Sequence, residues 1–368
     1  MPTLPLPDMP SPSVALAPAA AAGATTATTG TTQQQFHQRW DHLHDPHVRA
    51  LAWLLDAPDL LDPLAPAWNR RIAILDIAPA CAAWLTAVDA QPQALHDFLN
   101  LPTCTRLGRY AEKLMAFYFA WCGTLVAHGL QVQAAGRDTV GEFDFLLGEG
   151  AALVHLELAT KFYLFESFSG AESCEASESF ISSESSVEYF VGPNLADTLA
   201  AKMQKILIRQ LALGQHPAAQ AYLPQPVTRA QALIKGWLFY RQACAAADID
   251  AAAAANGVAA DHCRGFWCCL SEFATHPGQR YLILPRLAWL APARVAASAT
   301  SAGAALLALL EGHFVSDSMP VLVAIMDVAG GVAREVARGF IVPDDWRARA
   351  HERNQRTVLR LPVASAAS

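Results

Sequence analysis

The sequence has no CxxC pair, little charge and no apolar run long enough to span a bilayer, and each absence removes a class of protein. Its eight cysteines, at positions 81, 104, 122, 174, 244, 263, 268 and 269, follow no regular spacing. A chain of 368 residues buries a sizeable core without staples, so they read as reduced thiols and point to a cytoplasmic setting. Charged residues make up 16% of the chain against 53% hydrophobic ones, and the net charge of −7 carries no global mark of a nucleic-acid binder. That balance still leaves room for a local basic groove, which is all that an enzyme releasing its product requires. Residues 1–35 hold no Lys or Arg and no continuous apolar core, so no secretory leader is expected; their Pro, Ala, Thr and Gln predict a disordered tail. The most membrane-like stretch, Val295 to Leu310, is broken by Ser and Thr and flanked by Arg294 and Glu311. It is shorter than the ~20 residues of a spanning helix, and no membrane segment is expected.

What is present falls into three parts. Residues 36–102 read as a helical N-terminal part, in which Asp45-Pro46 looks like a helix cap followed by Pro at the first helical position. Residues 103–244 carry the sharper signals. Thr103 or Thr105 is expected to cap a long helix with an apolar stripe through Leu107, Tyr110, Leu114, Phe117, Trp121 and Leu125, ending at His128-Gly129. Three strands follow as a meander, Leu130 to Ala135, Val140 to Leu147 and Ala152 to Leu164. Residues 166–190, rich in Ser and Glu, read as a flexible acidic insertion. A helix capped by Asn194 and running to Leu213 comes next, then a strand over Ala232 to Tyr240. Residues 245–368 read as a smaller α+β part, with a strand at Tyr281 to Leu284 and a hairpin turning at Gly330-Gly331.

The chemistry concentrates on two strands. In Gly141-Glu142-Phe143-Asp144-Phe145-Leu146-Leu147, alternation puts Phe143, Phe145 and Leu147 on one face and Glu142 and Asp144 on the other. In the next strand His155, Glu157, Ala159 and Lys161 share a face, opposite Val154, Leu156, Leu158 and Phe162. If the strands are neighbours, Asp144 and Glu157 point into one pocket. Such a pair suits Mg²⁺, or Mn²⁺ in its place: one or two carboxylates, several waters and a substrate phosphate complete its oxygen shell. Phosphodiester cleavage needs a metal so held, to activate water and offset charge on the phosphoryl oxygens. Lys161 supplies a positive charge on the same face, and Glu112, at the edge of the first helix's stripe, adds a third carboxylate.

Helix with Glu, strand, strand with Asp, strand with Glu and Lys, then helix and strand, resembles the αβββαβ core of the PD-(D/E)xK phosphodiesterase superfamily, a restriction-endonuclease-like α/β fold. The segments Arg109-Tyr110-Ala111-Glu112, Gly141-Glu142-Phe143-Asp144, Glu157-Leu158-Ala159-Thr160-Lys161-Phe162-Tyr163-Leu164 and Gly192-Pro193-Asn194 also resemble a bacterial family catalogued as a domain of unknown function, DUF1853, from about His47 to the C-terminal hairpin. The resemblance implies a Mg²⁺-dependent nuclease, with Glu112, Asp144 and Glu157 as metal ligands and Lys161 positioning the water. One departure stands out. The superfamily lysine falls two residues after the second acid, where this chain has Ala159; Lys161 lies one strand period further on, and Lys202 from the following helix is a second candidate for the role.

Lys202, Lys205 and Arg209, at spacings of three and four, form a basic stripe that with Arg106 and Arg109 suits a phosphate backbone, DNA ahead of RNA. Each reading has a plainer rival. Asp144 and Glu157 are also what the solvated face of an ordinary sheet carries, Glu112 reads equally as a surface helix residue, and the basic stripe as a solvated helix face. His262-Cys263 with Cys268-Cys269 invites zinc, but adjacent cysteines rarely ligate one tetrahedral ion and buried thiols fit better. Trp237, Phe239, Phe266 and Trp267 read as core before they read as base-stacking platforms. His155 shares the acidic face and is by itself a weak signal. The rival from a different class is a non-catalytic module that keeps the fold and binds nucleic acid or protein.

Overall fold

The computed structural model describes residues 16–17, 30–75, 77, 80–134, 138–166, 190–242, 244 and 246–358. Most of the expected tail (1–35) and of the acidic insertion (166–190) lies outside the described residues. Where these segments are described, they are part of the fold. Leu16–Ala17 (β1) pairs antiparallel with Ile74–Leu75 (β2). Helix α1 (Thr32–Trp40) starts inside the expected tail, because Thr31 and Gln34 close a reciprocal capping box and Phe36 and Trp40 are buried. At the insertion, Glu166 is paired with Arg347 at 2.8 Å.

The N-terminal part is helical as its punctuation suggests. Helix α2 (Pro46–Asp56) begins at Asp45, whose carboxylate accepts from the N–H groups of His47 and Val48 at 2.9 and 3.0 Å. Helices α3 (Ala80–Ala90) and α4 (Gln93–Leu99) follow, then α5 (Leu107–Trp121). The expected threonine cap of α5 is not used: Arg106 holds the N-cap position and gives no side-chain hydrogen bond. The helix also stops sooner than expected. Gly123 takes φ +71°, and His128-Gly129 lies within the first strand of the meander.

Strands β3 (Leu125–Gln133), β4 (Thr139–Glu149) and β5 (Ala152–Phe165) are antiparallel neighbours, and β6 (Phe190–Val191) pairs with the far end of β5. The following helix is shorter than expected and not uniform. Leu195 takes φ +60°, Asn194 makes a local turn to the N–H of Ala196, and Thr198 instead caps α6 (Leu199–Gln204), which continues as a π-helix over Lys205–Gln210. Strand β7 (Val227–Arg241) returns parallel to β5.

The remaining elements enlarge the same sheet. Helix α7 (Ala246–Ala255) leads to β8 (Cys263–Cys269), parallel to β7; β9 (Arg280–Ile283), β10 (Arg294–Ala296), β11 (Ser301–Ala302), α8 (Gly303–Ser316), β12 (Val321–Ala329), β13 (Val332–Val342) and α9 (Trp346–Val358) complete the described residues. The order across the 11-stranded mixed sheet is β11-β9-β12-β13-β8-β7-β5-β4-β3, with β10 on β13 and β6 on β5. Gly330 and Gly331, at φ +59° and +79°, form the two-residue turn between β12 and β13, a conformation both can adopt without a Cβ penalty.

Two apolar layers clamp the middle of the sheet. On one face Leu156, Leu158, Phe162 and Leu164 of β5 pack with Trp53, Trp84, Phe117 and Phe119 from the N-terminal helices. On the other, Ala159 and Tyr163 pack with Leu199, Met203 and Ile206 of α6 and its π-helical extension. Alternation along β5 therefore commits its odd-numbered residues, Glu157 and Lys161 among them, to the α6 side. No helix among the described residues is long and apolar enough to cross a membrane.

Candidate functional site

Asp144 and Glu157 meet where two strands part. The β4–β5 ladder runs from Glu149↔Ala152 to Phe145↔Leu156; beyond it β4 continues along β3 and β5 along β7. One step past the last pair stand the two acids. Asp144 bridges the opening with its side chain, Oδ2 accepting from the backbone N–H of Leu158 at 3.0 Å. In β3, Gly129 takes φ +62°, and the pairs His128↔Phe145 and Leu130↔Phe143 flank it and Asp144. The strand face changes there. Phe145 packs edge-on against Phe119 of α5 at 5.3 Å, whereas Phe143 packs against His155 at 4.6 Å with Val132 and Leu146 in a different cluster. The expected shared face for Phe143, Phe145 and Leu147 is thus broken, and Glu142 turns to Arg109 at 3.3 Å instead of accompanying Asp144.

Glu157 is 1% exposed and both its oxygens are engaged. His155, on the same side of β5, contacts Oε1 through Nε2 at 2.7 Å, and the side-chain amide of Gln210 donates to Oε2. Gln210 also accepts from Lys202 Nζ at 3.5 Å, so one amide joins the acid to the cation. Among the described residues, the buried Nδ1 of His155 has no hydrogen-bond partner.

Charge crowding marks the site. Burial first, then the neighbouring Glu157 and Glu112, push the Asp144 carboxyl up to about 8. Glu112 is raised as well, by burial first; Arg109 opposes the shift at 3.9 Å, and Glu142 and Glu157 add to it. Lys202 is lowered by burial and then by Lys205, while Asp144, Glu157 and Asp197 act in the opposite direction. Glu112, Asp144, Glu157 and Lys202 are therefore within electrostatic reach of one another. Lys161 stands apart from the acids: it lies two strand periods past Glu157, 3.9 Å from Asp197, and is pushed down to about 8 by burial and then by Lys202.

The nucleic-acid residues expected from the sequence divide. Arg109 is occupied with Glu142 and Glu112, Lys202 faces the acids, and Lys205 and Arg209 are exposed on the π-helical segment. Because hydrogen bonds there run i→i+5, as from Leu211 N–H to Ile206 O, the even stripe expected of an α-helix is re-phased. Gln210 owes its position to this widened turn, and the sequence gives no signal for it.

Among the described residues, no three His, Cys, Asp or Glu side chains converge closely enough to enclose a metal ion. The donor chemistry nonetheless suits Mg²⁺ or Mn²⁺, which use one or two carboxylates and take their other ligands from water and phosphate. The alternatives weighed from sequence resolve into core. His262 bonds to Tyr240 Oη at 2.8 Å and to the Ala259 carbonyl at 2.6 Å, and burial raises the thiols of Cys263 and Cys268 to about 12. Trp237, Phe239 and Trp267 are fully buried.

Residues 49–342 match the model of a family described as a domain of unknown function (DUF1853), and the chain belongs to that family. No curated protein and no solved structure matches it.

Proposed function

We propose that this protein is a Mg²⁺- or Mn²⁺-dependent nuclease that hydrolyses phosphodiester bonds of nucleic acid, DNA ahead of RNA, in the cytoplasm. In this reading α5, β3, β4, β5, α6 and β7 are a restriction-endonuclease-like core. The observation that carries it is the meeting of Asp144 and Glu157 at the parting of β4 and β5, with Glu112 close enough to act on Asp144 and Lys202 close enough to feel both acids.

Asp144 and Glu157 are the residues that would hold the ion, with Glu112 acting on it from beyond them; when bound, the ion supplies a Lewis acid for the attacking water and the phosphoryl oxygens. His155 and Gln210 orient Glu157 from either side, as supporting partners of metal ligands do. Lys202 provides the positive charge beside the acids, at the place for which Lys161 is one strand period too far. Leu158 N–H holds the Asp144 carboxylate toward the opening between the strands.

Ala159, standing where the superfamily has its lysine, favours a second reading, a module that binds nucleic acid or a protein and does not cleave. Calorimetric titration of Mn²⁺ into wild type and Asp144→Ala separates the two. A heat lost in the variant supports the nuclease; equal heats remove its basis. Cleavage of single-stranded, duplex and branched DNA and of RNA then decides activity, with equal rates for wild type and Glu157→Ala pointing to the module.

A further inference from the structure

Next to the acids lies a second, oppositely charged cluster. Lys161 and Tyr163 project from the same side of β5, and both reach Asp197: Lys161 Nζ stands 3.9 Å from Oδ2, and Tyr163 Oη donates to the same oxygen at 3.0 Å. Lys202 and Lys205 approach from α6 and its extension and act on Lys161 as like charges. Lys161 thus has one carboxylate in contact, itself 43% exposed, and two further ammonium groups acting on it. The frame that holds them is tight. A Cβ at Gly192 would come within 2.6 Å of Asp197 Oδ1, and one at Gly236 within 1.8 Å of the Lys161 carbonyl oxygen, so both glycines fix the main chain against the cluster.

Cations that repel one another around a weakly shielded counter-ion favour an incoming anion, and here the anion's chemistry is constrained by position. Four residues along an extended strand separate Lys161 from Glu157, about 13 Å. An anion held at Lys161 is therefore not the group that the acids act upon, but it lies within the span of one continuous polyanion. We propose that Lys161 and Lys205 form a subsite for a backbone phosphate of a nucleic-acid strand, away from the scissile bond, with Asp197 as its resident counter-ion and Lys202 standing between the subsite and the acids. This deepens the nuclease reading, on which it rests for the identity of the polyanion, and it gives Lys161 a binding role in place of the water-positioning one. Tyr163 holds Asp197 beside the subsite when the strand is absent.

The test needs no catalysis. Fluorescence anisotropy of a short labelled single-stranded oligodeoxynucleotide, titrated with wild type, Lys161→Gln and Asp197→Asn in EDTA over a range of salt, isolates phosphate contacts from metal binding. Lys161→Gln should weaken binding about threefold and reduce the slope of log K against log salt by about 0.7, the share of one single-strand phosphate contact. Asp197→Asn should tighten binding by a similar factor, an outcome that damage to the fold does not produce. Wild-type affinity and slope in both variants, or no binding by wild type, overturns the subsite. Manganese titration of Asp144→Ala reports on the acids separately. Shifts in the lysine and aspartate variants with unchanged Mn²⁺ heat would keep the subsite and discard the nuclease.

Discussion

The backbone N–H of Leu158 donates to Asp144 Oδ2 at 3.0 Å, so the carboxylate of one strand is held by the main chain of the next, one residue past Glu157. That bond fixes the two acids relative to each other where the β4–β5 ladder gives out. It also favours the ionised form of Asp144, yet burial and the neighbouring Glu157 and Glu112 outweigh it. The strands thereby hold an unfavourable charge cluster in place.

Stability should record that cost. The Asp144 carboxyl titrates from an ordinary 3.8 when unfolded to about 8 when folded, so between those values the native state binds more protons than the unfolded one. Stability from this group therefore falls as pH rises from about 4 to about 8, and none of the effect remains below about 4. In the absence of divalent ions Asp144→Asn should be more stable than wild type at neutral pH, on the order of a few kcal/mol, and the gap should close in acid. Urea unfolding at pH 4 and pH 7.5 measures it; equal stabilities at both would contradict the raised carboxyl.

The partners of Glu157 should matter for function more than for folding. His155→Ala and Gln210→Ala each remove one of the contacts that orient its carboxylate. Losses of roughly 10–100-fold in Mn²⁺ affinity or cleavage rate are expected, with a native far-UV spectrum. Gln210→Glu should be worse than Gln210→Ala for folding stability, because it sets a carboxylate against Glu157. The ordering of the three midpoints checks the geometry independently of activity.

His37 links pH to the seat of the N-terminal helix. Burial, then the charge of Arg49, lowers its imidazole from 6.5 to about 4, and its Nε2 faces the Glu335 carbonyl at 3.1 Å. The unfolded chain binds more protons in that window, so the contribution of neutral His37 is present above about 6.5 and is lost as pH falls toward 4. Allowing for solvent screening at a partly accessible ring, the loss is on the order of 2 kcal/mol. His37→Gln should flatten the acid limb of a stability–pH curve, and a curve parallel to wild type would refute the assignment.

Gly236 is the least replaceable residue of β7. It pairs with Lys161 of β5, and an added methyl would lie 1.8 Å from that residue's carbonyl oxygen. Gly236→Ala should lower stability by more than about 3 kcal/mol or leave the protein insoluble, since the two backbones must separate to admit it. Thermal unfolding decides, with a midpoint within a few degrees of wild type counting against so close an approach.

Local patterns determined a good deal. The Asp45-Pro46 cap, the alternation that marks β4 and β5, the paired glycines of the β12–β13 turn, and the succession of helix, three strands, helix and strand are all short-range properties, because they depend on hydrogen bonding and side-chain period within a few residues. Alternation also placed Glu157 and Lys161 on one side of β5, and the acids on neighbouring strands. Tertiary structure decided the rest. Where β4 and β5 part, which way Phe143 turns, why Lys202 and not Lys161 faces the acids, and how a π-turn delivers Gln210 to Glu157 depend on contacts between segments far apart in sequence. Period tells which side a residue takes; the distance between two elements is set by the packing of everything behind them, and no local pattern encodes it.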